Sequence, residues 1–182
     1  MSWLFRYKMN VFMSEKALIS LILSSVEVYK NECIGSLYGH QGEERVVVEY
    51  AIPYQTAKRK PSEVEPVYHR ESRVLDLLDE ICSLEHVGYF HSHCQRGDIK
   101  ASESLSEPDK ESISPSQIEI VLAVNDSKRW IPWGVSRKVL YGALHDYRFR
   151  IAAYMKLVDS ERIIKCRVIC PYAVGINDAL EI

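Results

Sequence analysis

Apolar positions along this chain fall into two spacings. Ala17, Leu18, Leu21, Ile22 and Val26 recur at three-and-four intervals, the mark of a helix that buries one stripe. Ser14 stands ahead of them as an N-cap with Glu15 in the first turn, so a helix is predicted from Ser14 to near Asn31. Val74, Leu77, Leu78 and Ile81 repeat the spacing and predict a second helix over about Arg70 to Ser83 with one apolar face. Shorter runs read as strands. Cys33 to Gly39 is a buried strand with small residues for close packing, and Val46 to Tyr50 returns after a turn at His40 to Glu43. Val87 to His93 and Ile118 to Val124 are two more.

Tyr147 to Ile151 alternates apolar and basic residues, which suits a half-exposed antiparallel strand, with Arg162 to Cys170 as its partner. Trp130 and Trp133 continue the sheet or cover its edge. The polar stretches Pro53 to Pro66 and Cys94 to Leu105 read as surface loops, and Ser106 opens a third helix or turn. Hairpin-like strands mixed with helices favour an α+β (mixed α/β) sandwich over strict βαβ alternation.

Composition narrows the class. At 182 residues, with 47% apolar and 26% charged content, the chain reads as one ordered globular domain over 1–182. A net charge of -2 is neutral on partners, and the densest basic cluster, Lys58-Arg59-Lys60, is followed by Glu63 and Glu65. It reads as solvated loop charge, and no nucleic-acid partner is expected. Ala17 to Leu23, the longest apolar stretch, is too short to span a bilayer. Met1 to Phe12 is interrupted by Arg6, Lys8 and Asn10 and has no signal-cleavage site, so a cytoplasmic, membrane-free protein is expected. Five cysteines at 33, 82, 94, 166 and 170 are odd in number and irregular in spacing. They suit small core hydrophobes better than a disulfide scaffold.

Specific chemistry enters at Gly88-Tyr-Phe-His-Ser-His93. On a strand, residues i and i+2 share a face, so His91 and His93 project side by side as a chelating pair for a zinc-like ion, though unliganded histidines also occur at this spacing. Downstream, Ser106-Glu107-Pro108-Asp109 has the form of a capping box, which also fixes a carboxylate that can serve as a third ligand. Glu32, between the first helix and a buried strand, is either a solvated helix-end glutamate or a proton-transfer group beside a metal site.

Together Glu32, His91-Ser92-His93 and Ser106-x-x-Asp109 resemble the motif of the JAMM/MPN+ zinc metalloprotease family, in the manner of its small prokaryotic members. Glu32-Cys-Ile-Gly-Ser-Leu-Tyr-Gly39 and Leu105 match the surroundings of that motif, and the resemblance extends over roughly residues 9–140. It implies an MPN-type curved, mostly antiparallel sheet flanked by helices, cytidine-deaminase-like in plan. One Zn2+ per chain would be held by His91, His93 and Asp109. Glu32 would act as general acid/base, and Ser106 would steady the site and the oxyanion. Ser92, on the other face of the strand, is expected to make a structural hydrogen bond.

The implied substrate is a conjugate of a ubiquitin-like or sulfur-carrier protein, cut after its C-terminal tail without a covalent intermediate. A homodimer is compatible with the sequence. The alternative role is a catalytically silent or partner-dependent MPN scaffold subunit. Two features depart from the family pattern: the twelve residues Cys94 to Leu105 exceed its usual spacer, and Cys94 stands where proline is common. Cys94 is read as a plain loop cysteine, with an extra ligand or inhibitory thiol as the other options.

Overall fold

The structure, a computed structural model, describes residues 8–60 and 63–180. Residues 1–7 of the expected signal-free N-terminal stretch lie outside the described residues, as do Pro61 and Ser62 of the 53–66 stretch. The chain runs β1 (Asn10–Met13), α1 (Glu15–Glu27), β2 (Ile34–Gln41) and β3 (Arg45–Pro53). A short ribbon of β4 (Lys58–Lys60) and β5 (Glu63–Glu65) leads into α2 (Tyr68–Ile81) and β6 (Glu85–Cys94). Then come α3 (Glu107–Ser112), β7 (Ile118–Asp126), β8 (Gly134–Ser136) and β9 (Val139–Leu144). β10 (Tyr147–Lys156), β11 (Ile163–Ile169) and α4 (Pro171–Leu180) follow.

One sheet takes the order β11-β1-β3-β2-β6-β7-β10-β9-β8, and β10 also pairs with β11. That second pairing joins the ends, so the strands from β11 round to β10 close into a barrel. β9 lies along the first half of β10 and β11 along its second half. β1–β11, β1–β3 and β6–β7 are parallel, and the other pairings are antiparallel. The mostly antiparallel α+β architecture agrees with the sequence, and the curved sheet that the resemblance implies is here closed into a barrel. The closure runs through β1: its four residues, Asn10–Met13, are too few to show a period, so no strand is predicted there, and without it nothing connects β3 to β11.

A single apolar cluster fills the interior, with Val11, Leu37, Val48, Phe90, Ile120 and Ile151 among its fully buried members. Each such side chain contributes about 1.5–3 kcal/mol by leaving water. α1 adds Ala17, Leu18, Leu21 and Ile22 from its predicted stripe, with Val26 packed at the margin. Ser14 caps α1 as expected, accepting from the Ala17 amide at 3.1 Å, and its hydroxyl donates to the Glu49 carbonyl at 2.7 Å. The helix stops at Glu27, short of Asn31, and Lys30 turns the chain with φ +85°.

α2 forms where its periodicity predicts, starting slightly earlier, but none of its described residues is buried. Val74, Leu77 and Leu78 line an open groove of about 530 Å³ with Ile52 and Pro53. The helix is tied down by polar contacts instead. Tyr54 Oη, hydrogen-bonded to the Ser36 hydroxyl, donates to Glu71 Oε1 at 2.9 Å. The 53–66 stretch is not all loop, because β4 and β5 set Lys58 opposite Glu65, an opposite-charge pairing that favours a ribbon.

All five cysteines are outside disulfides, and all but Cys82 are buried, as small core hydrophobes would be. Among the described residues no helix is long and apolar enough to cross a membrane.

Candidate metal centre

β6 runs between β2 and β7, with His91 registered on Ile34 on one side and Val121 on the other. The strand pleat turns His91 and His93 the same way, and their Nε2 atoms stand 3.2 Å apart. His91 is only 6% exposed. Its Nδ1 donates to Glu119 Oε1 of β7 at 2.6 Å. His93 Nδ1 lies 2.7 Å from the Ser102 carbonyl oxygen. A carbonyl only accepts, so Nδ1 carries the hydrogen, and both rings are set with Nε2 inward.

The third group arrives on α3. Ser106 is its N-cap, accepting from the Asp109 amide at 3.3 Å, while the Ser106 amide donates to Asp109 Oδ2 at 2.6 Å. Asp109 Oδ1 lies 3.6 Å from His91 Nε2, and Oδ2 is 3.6 Å from His93 Nε2. The capping box therefore does not consume the carboxylate: Oδ1 takes no part in it and faces His91, while the capping oxygen Oδ2 also faces His93. Ligand atoms of His91, His93 and Asp109 all fall within 4.8 Å of one another. Two imidazole nitrogens and one carboxylate oxygen, each ring locked by its outer nitrogen, form a donor set that fits a divalent ion with an open position.

Glu32 sits at the rim of this group and is buried. Ser92, between the two histidines, fixes the neighbouring peptide. Its hydroxyl accepts from the Cys33 amide at 2.9 Å, and its own amide donates to the Cys33 carbonyl at 2.9 Å. Cys33 Sγ in turn lies 3.3 Å from Ser25 Oγ of α1. Arg96 Nη2 is 3.6 Å from Glu32 Oε1. Glu32, His91, Ser106, Asp109, Glu119 and Tyr89 all line one cleft of about 640 Å³. The five residues singled out from the sequence are thus brought together, His93 beside the cleft wall and the others on it.

Electrostatics reflect the crowding of charge. Burial pushes the Glu32 carboxyl up against the opposing pull of His93, His91 and Arg96. Burial disfavours the His91 imidazolium, yet Asp109 and Glu119 outweigh it and raise its pKa to about 10. Burial also works to raise Asp109, but hydrogen bonds from His91 and His93 hold it well below the usual carboxylate range. Cys94 ends β6 instead of starting a loop. It is buried, burial raises its thiol pKa, and it is no member of the ligand group.

Glu119 escaped sequence reasoning. The available signal was a lone carboxylate in Ile118 to Val124, where every other residue is apolar. A charge so placed is rarely buried without a partner.

Residues 7–110 match the protein family described as JAB1/Mov34/MPN/PAD-1 ubiquitin protease. No curated protein matches the chain in sequence. Among solved structures, the solution structure of protein DSY2949 from Desulfitobacterium hafniense is similar, with a TM-score of 0.61 and 14% identity over 88% of this chain and 92% of that one. At that identity the likeness is one of fold.

Proposed function

Since the chain belongs to the JAB1/Mov34/MPN/PAD-1 family, we propose that it is a zinc-dependent isopeptidase or peptidase. Its substrate class is a protein conjugated through the C-terminal tail of a ubiquitin-like or sulfur-carrier protein. The observation that carries this reading is the meeting of His91, His93 and Asp109 within 4.8 Å, with Glu32 and Ser106 on the adjoining cleft.

A zinc ion held by His91 Nε2, His93 Nε2 and an Asp109 oxygen would supply Lewis acidity toward a water and the scissile carbonyl. Glu32 then takes the proton from the attacking water at a carboxylate oxygen and delivers it to the leaving amine. Ser106 accepts from the Asp109 amide, so its hydroxyl hydrogen remains to donate to the oxyanion. Glu119 holds the His91 ring in place.

Two measurements test this. Zinc titrated into the metal-free protein should bind at about one ion per chain. The loaded protein should release the leaving group from ubiquitin-like and sulfur-carrier proteins carrying a C-terminal amide or isopeptide, and a chelator should abolish that release. Stoichiometric zinc without cleavage of any tail-linked conjugate would replace the enzyme by the scaffold role. Glu119→Ala is expected to weaken zinc binding by about 10- to 100-fold in competition with a chelating dye. Unchanged affinity would reduce Glu119 to a packing role.

A further inference from the structure

The segment between β6 and α3 supplies no ligand, but its backbone touches one. The Ser102 carbonyl receives the His93 Nδ1 hydrogen. The next residue, Glu103, is a buried carboxylate in an otherwise polar surface segment. Arg150 of β10 grips it at two points, Nε to Oε2 at 2.7 Å and Nη2 to Oε1 at 2.8 Å. Lys165 of β11 stands 3.6 Å from Oε1, and Tyr154 Oη donates to the Glu103 carbonyl at 3.0 Å. Earlier in the segment, Asn125 exchanges hydrogen bonds with the Ala101 backbone at 2.7 and 3.1 Å. Three residues beyond Glu103, Ser106 begins α3 and its Asp109.

The two histidines are therefore oriented differently. His91 leans on a side chain of the neighbouring strand, whereas His93 leans on the main chain of a surface segment. Neutral hydrogen bonds hold this segment at Ala101 and at the Glu103 carbonyl, and the anchor on the Glu103 side chain, next to Ser102, is charged. Glu103 is buried and Arg150 half-buried; such an ion pair adds little net stability, but its paired hydrogen bonds fix position and orientation.

We propose that the Glu103–Arg150 ion pair is a positioning device for the metal centre. It braces the 95–105 segment against the barrel, so that the Ser102 carbonyl keeps His93 Nε2 inward and α3 starts where Asp109 can join it. Glu103 and Arg150 are positioning residues: they act through Ser102 and Ser106 and touch neither substrate nor metal. The brace deepens the metal-dependent function proposed above and rests on it only for the identity of the ion.

The test uses Glu103→Gln, which keeps the side chain's shape, and Arg150→Gln, which approaches the pair from its other side should the first variant not fold. In the metal-free protein, long-range proton–nitrogen NMR of the His93 ring should show a single Nδ1-protonated tautomer. In either variant a mixture of tautomers is expected, together with zinc affinity lower by about 10- to 100-fold. Folded variants with the parent's tautomer and a zinc affinity within about twofold of it would overturn the brace and leave an ordinary structural pair. If the unsubstituted protein takes up no zinc, zinc dependence fails, and the ring tautomer still decides the brace.

Discussion

Replacing Glu32 with glutamine is expected to leave about one zinc per chain while lowering hydrolysis by about 10²- to 10⁴-fold, the usual worth of a positioned acid–base group. Glutamine has the same shape, and the peptide that carries it stays pinned through Cys33 and Ser92. Its amide cannot accept the proton from water. Glu32 is not one of the three clustered ligands, so metal content should not change. Burial already disfavours its charge, so the neutral amide should not lower the melting temperature. His91→Ala and Asp109→Ala should behave differently and lose the metal itself. In Asp109→Ala, α3 also loses the side-chain half of its capping box, at a cost of about 1 kcal/mol. Metal analysis and single-turnover cleavage on the same preparations check all three. Full activity in Glu32→Gln would remove the residue from the mechanism.

The largest expected loss of stability comes from a glycine. Gly88 has φ +148°, and a Cβ there would sit 1.9 Å from the Ile118 carbonyl oxygen, with Ile118 main-chain atoms also at 2.8 Å. Main chain cannot swing aside as a flexible side chain does. Gly88→Ala should therefore cost about 3 kcal/mol or more, lowering the melting temperature by about 10 °C for a chain of this size. The damage reaches the site as well. Gly88 opposite Ile118 begins the parallel β6–β7 ladder that carries His91 and Glu119, so zinc affinity should fall with stability. Gly175 on α4 has open space around it, and Gly175→Ala should be neutral or gain about 0.5–1 kcal/mol. Thermal melts of both variants decide the matter; equal melting temperatures would mean that the main chain around Gly88 and Ile118 shifts to admit a methyl group.

Much of the site was legible because its signals are local. The strand pleat set His91 beside His93 and a capping spacing set Asp109 beside Ser106, and the resemblance of the combined motif to the JAMM/MPN+ pattern made candidate ligands of them. Glu32 was less so, since one glutamate at a helix end is ordinary until the other four are beside it. Glu119 and Glu103 could not be read as partners of His91 and Arg150. They lie 28 and 47 residues away along the chain, and only the tertiary fold brings them together, through the β6–β7 pairing for Glu119 and the packing of the 95–105 segment on β10 for Glu103.

The fold divides the same way. α1, α2 and the strands with sustained patterns were legible, because period reports element type. β1 is too short to show a period and exists through its two parallel neighbours. The β8–β9 hairpin depends on Gly142 lying directly against the Trp133 ring. α4 is held by Asn177, which brackets the Trp133 backbone at 2.7 and 3.0 Å. Period also cannot say whether an apolar face is covered, which is why the open face of α2 was not foreseen.

Closure of the barrel through β1 imposes an order in time. β1 is made early, yet one edge of it waits for β11, with Asn10 paired to Arg167 across nearly the whole described chain. Contacts of such separation are slow to form, because the intervening chain must be ordered before they repay its lost entropy. The antiparallel β2–β3 pair is local and can assemble first. A nascent chain that has emerged as far as Asp109 already carries Glu32 and all three candidate ligands. It still lacks Glu119, Arg150 and the strands that close the ring. The candidate metal centre is therefore written early in the chain, and the strands that close the ring around it come late.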